Sequence, residues 1–453
     1  TGDSAALPAT GGDGDWEIGG STLLWTDGTV NADFTTVDSA TFGGPGSYVV
    51  TIDAAGVTAN NVTLTANNIT IAGGDLAVSG QVISGAGLDS IISANVTGDL
   101  VTDIDVSGSL KLSGTVAGKV QTLGAGQIDL VNVVGSLDSD AGKTVINGTA
   151  GNNGTVTGAT TINDSTVQIV SGNLSAGDAA AVPVVAASTV TVNSGGTLDA
   201  DGGSIGAVTL NTGGTAELGG STLASFQQAA GFAGTTTMTA GEITGLTDIV
   251  AGTFTFDGGT LGNVANEGKF LFTSNQTIGG NYSGGGEVDI AGATGDVKLT
   301  VNGASGFATS GALGEGSNTL TIDSDIITLN AGVSFQGNVV LQGAVTNNAE
   351  IVVNAPITLF GTFTNNNKAD LSAAITSSTF KVVNTGVLNI DAGGRISGAV
   401  DANDGTVTVN AAQDGTKEIS GTVTVGSDLH AGTTGKLVLT NGDLGDIVNN
   451  GLT

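Results

Sequence analysis

Apolar and polar residues alternate along most of this chain, and the alternation is broken again and again at an Asn, often with Gly or a small residue just after it. In TVTVNSGGTLDA (189–200), Val190 and Val192 fall on one side of an extended backbone and Thr189 and Thr191 on the other; after Asn193, Gly195 and Gly196 the alternation resumes with Leu198. Period-two alternation of this kind marks a half-buried strand. Asn and Gly between two such runs supply the left-handed backbone that a sharp corner needs. The same order returns in VTLNTGGTAEL (208–218), and looser copies occur as VANEGKFLF (264–272), VTNNAEIVV (345–353), FTNNNKADL (363–371), KVVNTGVLNI (381–390) and IVNNGLT (447–453).

Strands this short cannot bury a face alone, but equivalent strands stacked coil upon coil close a continuous core at roughly 4.8 Å per layer. The pattern therefore predicts an all-β fold, a single elongated parallel β-helix (β-solenoid). At about 20 residues per coil, some 22 coils would rise on the order of 100 Å. Asn193, Asn211, Asn266, Asn347, Asn365, Asn384 and Asn449 would stack at one corner as an amide ladder. Phe254 with Phe256, and Phe270 with Phe272, share a face within each pair, which reads as rings stacked in the core rather than an exposed sugar-binding stripe. Trp16, Trp25, Phe34 and Phe42 gather in residues 1–45, read as an N-terminal cap; residues 46–453 are read as the repeat region. The alternative is a string of β-sandwich modules, which calls for linkers; no Pro-rich or charged linker occurs.

Composition narrows the picture. With 77 Gly, 4 Pro and few aromatics, burial must come from small aliphatic side chains, while 39% hydrophobic residues and a mean hydropathy of +0.26 argue against disorder. Asp and Glu number 41 against 10 Lys and Arg, a net charge of −31. Such a surface repels nucleic acid and anionic membranes and leaves divalent cations, glycans, other surface proteins or a second copy as the expected partners. There is no Cys, and so no disulfide or thiolate chemistry. The first residues carry no basic and apolar leader, which is read as a secretion signal already removed.

Residues 25–80 run from WTDGTVNADF through YVVTIDAAGVTANNVTLTANNITI to GGDLAVSG. This order, a Trp-containing start, an AxF-like element, a YxVT strand, then V-x-N-x-T-L and GG-x-L-x-V-x-G repeats, resembles the passenger region of bacterial autotransporter-type surface proteins. The resemblance is diffuse over most of the chain, and no aromatic-rich translocator barrel comes after it. It implies secretion to the cell surface, a right-handed β-helix, and an adhesive or matrix role.

Candidate chemistry is sparse. One His, His430, and one Arg, Arg395, offer little to acid–base catalysis, and zinc sites of the usual type are excluded by count. Acid pairs such as Asp199 with Asp201, Asp323 with Asp325, Asp103 with Asp105 and Asp401 with Asp404 would suit a glycan-cleaving β-helix only if a cleft shifted their titration. Asp13, Asp15 and Glu17 in GGDGDWEIG could form one isolated calcium site, although Trp16 stands where the calcium-binding nonapeptide repeat needs Asp. The leading expectation is a non-catalytic, secreted or cell-surface structural or adhesive solenoid (passenger, matrix or filament subunit), able to associate end to end. A polysaccharide-active enzyme (lyase or glycoside hydrolase) and a calcium-organised surface-layer protein are the alternatives.

Overall fold

A computed structural model describes residues 13–18, 25–26, 31–32, 34–36, 38–44, 46–147, 155–170, 173–174, 189–315, 317–382, 386–402, 405–410, 416–426 and 435–449. Regular structure among them is β-strand, without helix, and apart from the antiparallel pair Trp25–Thr26 with Asn31–Ala32 its sheets are parallel: the fold is an all-β parallel β-solenoid. The chain divides into two compact units, residues 1–236 with 240–242, and residues 237–239 with 243–453.

In the first unit the sequence copies lie directly above one another. Thr189–Val192 pairs in parallel with Ser204–Leu210, setting Val190 against Val208, Thr191 against Thr209 and Val192 against Leu210. On the adjoining sheet Thr197–Ala200 pairs with Thr215–Leu218. Alternation then stacks like on like. Leu110, Ile128, Thr144, Val167, Leu198 and Ala216 form one inward column through six coils, and all six are buried. Each buried Val, Leu or Ile adds about 1.5–3 kcal/mol, which is how a chain poor in aromatics sustains a core. Some interior hydroxyls are satisfied between coils: the Thr122 and Ser139 hydroxyls bond each other at 3.4 Å, Thr122 also donates to the Ala141 carbonyl, and Thr102 donates to that of Gln121.

At the start of this unit Gly14–Trp16 pairs with Val50, Thr51 and Ile52. Trp16 is fully buried, edge-on to Phe34 at 5.4 Å and Phe42 at 5.1 Å. Much of the 1–45 segment lies outside the described residues.

The second unit has the same scheme with larger residues inside. Phe254, Phe270, Val288, Leu313 and Phe335 make one column, with the Phe254 and Phe270 rings 6.2 Å apart and within 6° of parallel. Coil length is less regular than the opening repeat suggests. Asn193 and Asn211 are 18 residues apart, Asn163 and Asn193 are 30 apart, and Thr273 reaches its neighbour Asp257 after 16. Strand pairing is kept across the longest of these spacings, where Thr160–Ile162 still pairs with Val190–Val192.

Gly118, Gly135 and Gly262 lie inside the strands Val116–Thr122, Val133–Ser139 and Thr260–Asn266, while Gly158, Gly280 and Gly303 lie between successive short strands. A methyl on Gly135 would lie 2.5 Å from the Gly118 carbonyl oxygen, and one on Gly262 would lie 2.5 Å from those of Gly245 and Thr244. Backbone meets backbone between coils here, and only hydrogen fits.

Candidate functional site

The densest group of ionisable side chains among the described residues lies in the second unit. Lys269–Leu271 pairs in parallel with Glu287–Asp289, placing Lys269 opposite Glu287 and Leu271 opposite Asp289. Phe270 and Val288, between them, point into the core and anchor both strands. Glu315 comes after strand Ala312–Leu313 in the next coil, whose Leu313 stands against Val288. The oxygens of Glu287, Asp289 and Glu315 that face the centre lie within 4.8 Å of one another. Lys269 Nζ sits among them, 3.6 Å from Glu287 Oε1, 3.4 Å from Glu315 Oε2 and in direct contact with Asp289 Oδ2.

Alternation would place Asp289 outside, yet it is fully buried. Its Oδ1 accepts a hydrogen bond from Ala291 N at 2.8 Å, so the turn after the strand fixes the carboxyl group. Burial pushes the Glu287 carboxyl above the usual range; the Lys269 ammonium opposes this, while Asp289 and Glu315 add to it. For Lys269, burial works to lower its pKa, but the bond to Asp289 and the fields of Asp289, Glu287 and Glu315 prevail and raise it. From inside, the buried Asn266 amide donates to the Glu287 carbonyl at 2.9 Å and to the Tyr282 hydroxyl at 2.8 Å. The Tyr282 phenol, wholly enclosed, is pushed up by burial.

The acids singled out near the N-terminus are arranged otherwise. Asp13 and Asp15 are exposed and Glu17 half-buried; Asp13 Oδ1 accepts a hydrogen bond from Val49 N at 2.6 Å, and the three do not form a group like that around Lys269. The described members of the acid pairs sit on outward faces. Asp199 accepts from Gln168 at 3.0 Å, and burial, then Asp201 and Glu217, raise its pKa. Asp323 pairs with Lys298 at 3.0 Å. Asp103 is half-buried and Asp105, Asp201 and Asp325 are exposed. Arg395 begins strand Arg395–Ala402, while Asp404 and His430 lie outside the described residues.

The asparagines do not make one column. Asn193 donates to Asn163 and Asn211 to Asn193, both at 2.8 Å, and the run continues through Asn163 to Asp140, which also accepts from Gln121. These side chains project from the corner just after a strand. Asn266, Asn347 and Asn365 lie inside, each fully buried. Asn347 Nδ2 bonds Asn365 Oδ1 at 2.7 Å, and Asn365 Nδ2 bonds the carbonyls of Asn367 and Val387 at 3.0 Å. The reason is parity: in VTVN the Asn comes directly after the inward Val192, whereas in VAN, VTN and FTN it comes two places after an inward residue and so points inward itself. Asn449 is exposed on Ile447–Asn449, and Asn384 lies outside the described residues. The left-handed backbone at the corner belongs to Gly195 and Gly213, at φ 76° and 80°, and not to the asparagines.

One open groove in the first unit, about 520 Å³, is lined by Ser107, Ser109, Gln127 and Lys143 over a floor of glycines. The Lys269 group was not evident in the sequence, although its signal exists: Lys269, Glu287 and Asp289 share one parity in two copies of the repeat, and Lys is rare in this chain. No family model, curated protein or solved structure matches the chain.

Proposed function

We propose that this protein is a non-catalytic structural or adhesive β-solenoid of the autotransporter-passenger type, acting outside the cell. The observation that carries this reading is where the outward polar groups go. Gln121, Asp140, Asn163, Asn193 and Asn211 bond one another from coil to coil; so do Asn366 with Asn348, Lys368 with Glu350, and Asn389 with Asp370. Side chains spent on cohesion along the solenoid leave a neutral-to-acidic surface suited to presentation and contact rather than to turnover. The groove at Ser109, Gln127 and Lys143 offers hydroxyl, amide and ammonium donors to a glycan. Strand Ile447–Asn449 pairs with Val423–Val425 and leaves Ile447 52% and Val448 43% exposed, apolar surface that a partner protein could cover.

The test is a panel of plant, algal and bacterial polysaccharides incubated with the purified protein. Retention of glycan on immobilised protein without new reducing or unsaturated ends is the expected result. Turnover abolished by Asp199→Asn would establish the enzyme reading instead. The calcium-organised reading draws support from the three carboxylates at Glu287, Asp289 and Glu315, although the Lys269 ammonium already stands among them. A melting temperature unchanged between calcium and EGTA is expected, since a cation bound only to the folded state would raise it.

A further inference from the structure

We propose that Lys269 and Asp289 become joined by an amide bond between Nζ and Cγ, a covalent tie between two successive coils of the second unit.

Burial is the first argument. Other acids paired with lysine among the described residues keep between 22 and 63% of their side chain exposed, whereas Asp289 keeps none. A carboxylate this deeply enclosed loses most of its hydration, and the neutral carboxylic acid that precedes amide formation loses far less. Register is the second. Lys269 and Asp289 are diagonal neighbours on paired strands, a spacing of roughly 7–8 Å that long side chains span; the bond needs no movement of either strand. Orientation is the third: the Ala291 amide holds Oδ1, turning Oδ2 and the carboxyl carbon toward Nζ. Such fixed proximity replaces a bimolecular condensation by an intramolecular one, with effective molarities of about 10⁵–10⁸ M in well-aligned systems. A proton relay is the fourth. Glu287 Oε1 stands 3.6 Å from Nζ, and Glu315 lies beside it.

The step balances without a co-reactant. The ammonium passes one proton, through Glu287, to the Asp289 carboxylate. The free Nζ lone pair attacks Cγ, and Glu287 takes a second Nζ proton and returns it to the departing oxygen. The Cγ–O bond breaks and water leaves. Nζ keeps its last hydrogen as an amide N–H, no charge is gained or lost overall, and Glu287 ends as it began. Lys368, between Glu350 and Asp370, has comparable partners at 2.7 Å, but both of its acids keep part of their side chains exposed, 63% and 22%, and stay hydrated.

Intact-mass spectrometry of the full purified chain tests this. The folded protein should be lighter than its sequence by one water, and proteolysis should release a branched peptide carrying both Lys269 and Asp289. Asp289→Ala should restore the sequence mass. Glu287→Gln should leave freshly purified protein largely unlinked, and linkage as rapid as in the parent chain would remove Glu287 from the reaction. A parent chain that melts cooperatively yet has its sequence mass would overturn the proposal and leave a plain ion pair.

Discussion

At the scale of single residues, two kinds of side chain hold the coils at their spacing: hydrogen and amide. At Gly262 two carbonyls stand where a methyl would go. Gly262→Ala is therefore expected to lower stability by about 1–3 kcal/mol, as overpacking against rigid neighbours does, while Gly98→Ala, which meets open space, should leave the thermal melt within a degree or two, about 0.5 kcal/mol. The interior amides act through satisfaction. Asn347→Ala deprives the buried Asn365 Oδ1 and the Lys368 carbonyl of a donor, a loss of about 1–3 kcal/mol. Asn193→Ala, at the half-exposed corner where water can substitute, should cost about 1 kcal/mol or less. Urea melts of both variants check the order, and equal costs would contradict it.

At the scale of the element, much was legible from the chain itself. Val190, Val192, Val208 and Leu210 announced two strands and their parallel stacking, and Phe254 with Phe270 announced a ring column. Three things were not. The Asn in VTN reads like the Asn in VTVN until its parity against the preceding inward residue is counted. The glycines inside strands, as in VVGSL (133–137) and LGNV (261–264), look like interruptions of the alternation. Asp289 occupies an outward parity, and only the turn that folds back through Ala291 buries it. Coil lengths also vary because insertions at corners cost little when strand pairing is preserved. That tolerance yields a prediction: deleting residues 193–210, one whole 18-residue spacing, joins Val192 to Asn211 and restores an equivalent corner. The shortened chain should keep its β circular dichroism and a cooperative melt. Deleting 193–201 instead shifts every later strand onto the wrong sheet and should abolish cooperativity.

At the scale of the molecule, charge opposes what packing achieves. A net charge of −31 on a chain with 10 Lys and Arg means that the few ammonium groups, such as Lys269, Lys298 and Lys368, each serve acids on the neighbouring coil or their own. The remaining acids repel one another through solvent, a repulsion that falls once the Debye length shrinks to about 10 Å at 0.1 M salt. The melting temperature should rise as sodium chloride is added, with most of the gain at low salt; a fall would show that the lysine pairs outweigh the repulsion.

The account rests on like residues standing in register from one coil to the next, and Thr191 above Thr209 tests it most directly. The chain has no Cys, so Thr191→Cys with Thr209→Cys takes two nitroxide labels and no others. Strand neighbours lie about 4.8 Å apart, and the frozen-solution electron paramagnetic resonance spectrum of the double-labelled protein should be strongly broadened relative to the sum of the two singly labelled ones. A spectrum equal to that sum would place the two residues far apart and contradict the stacking.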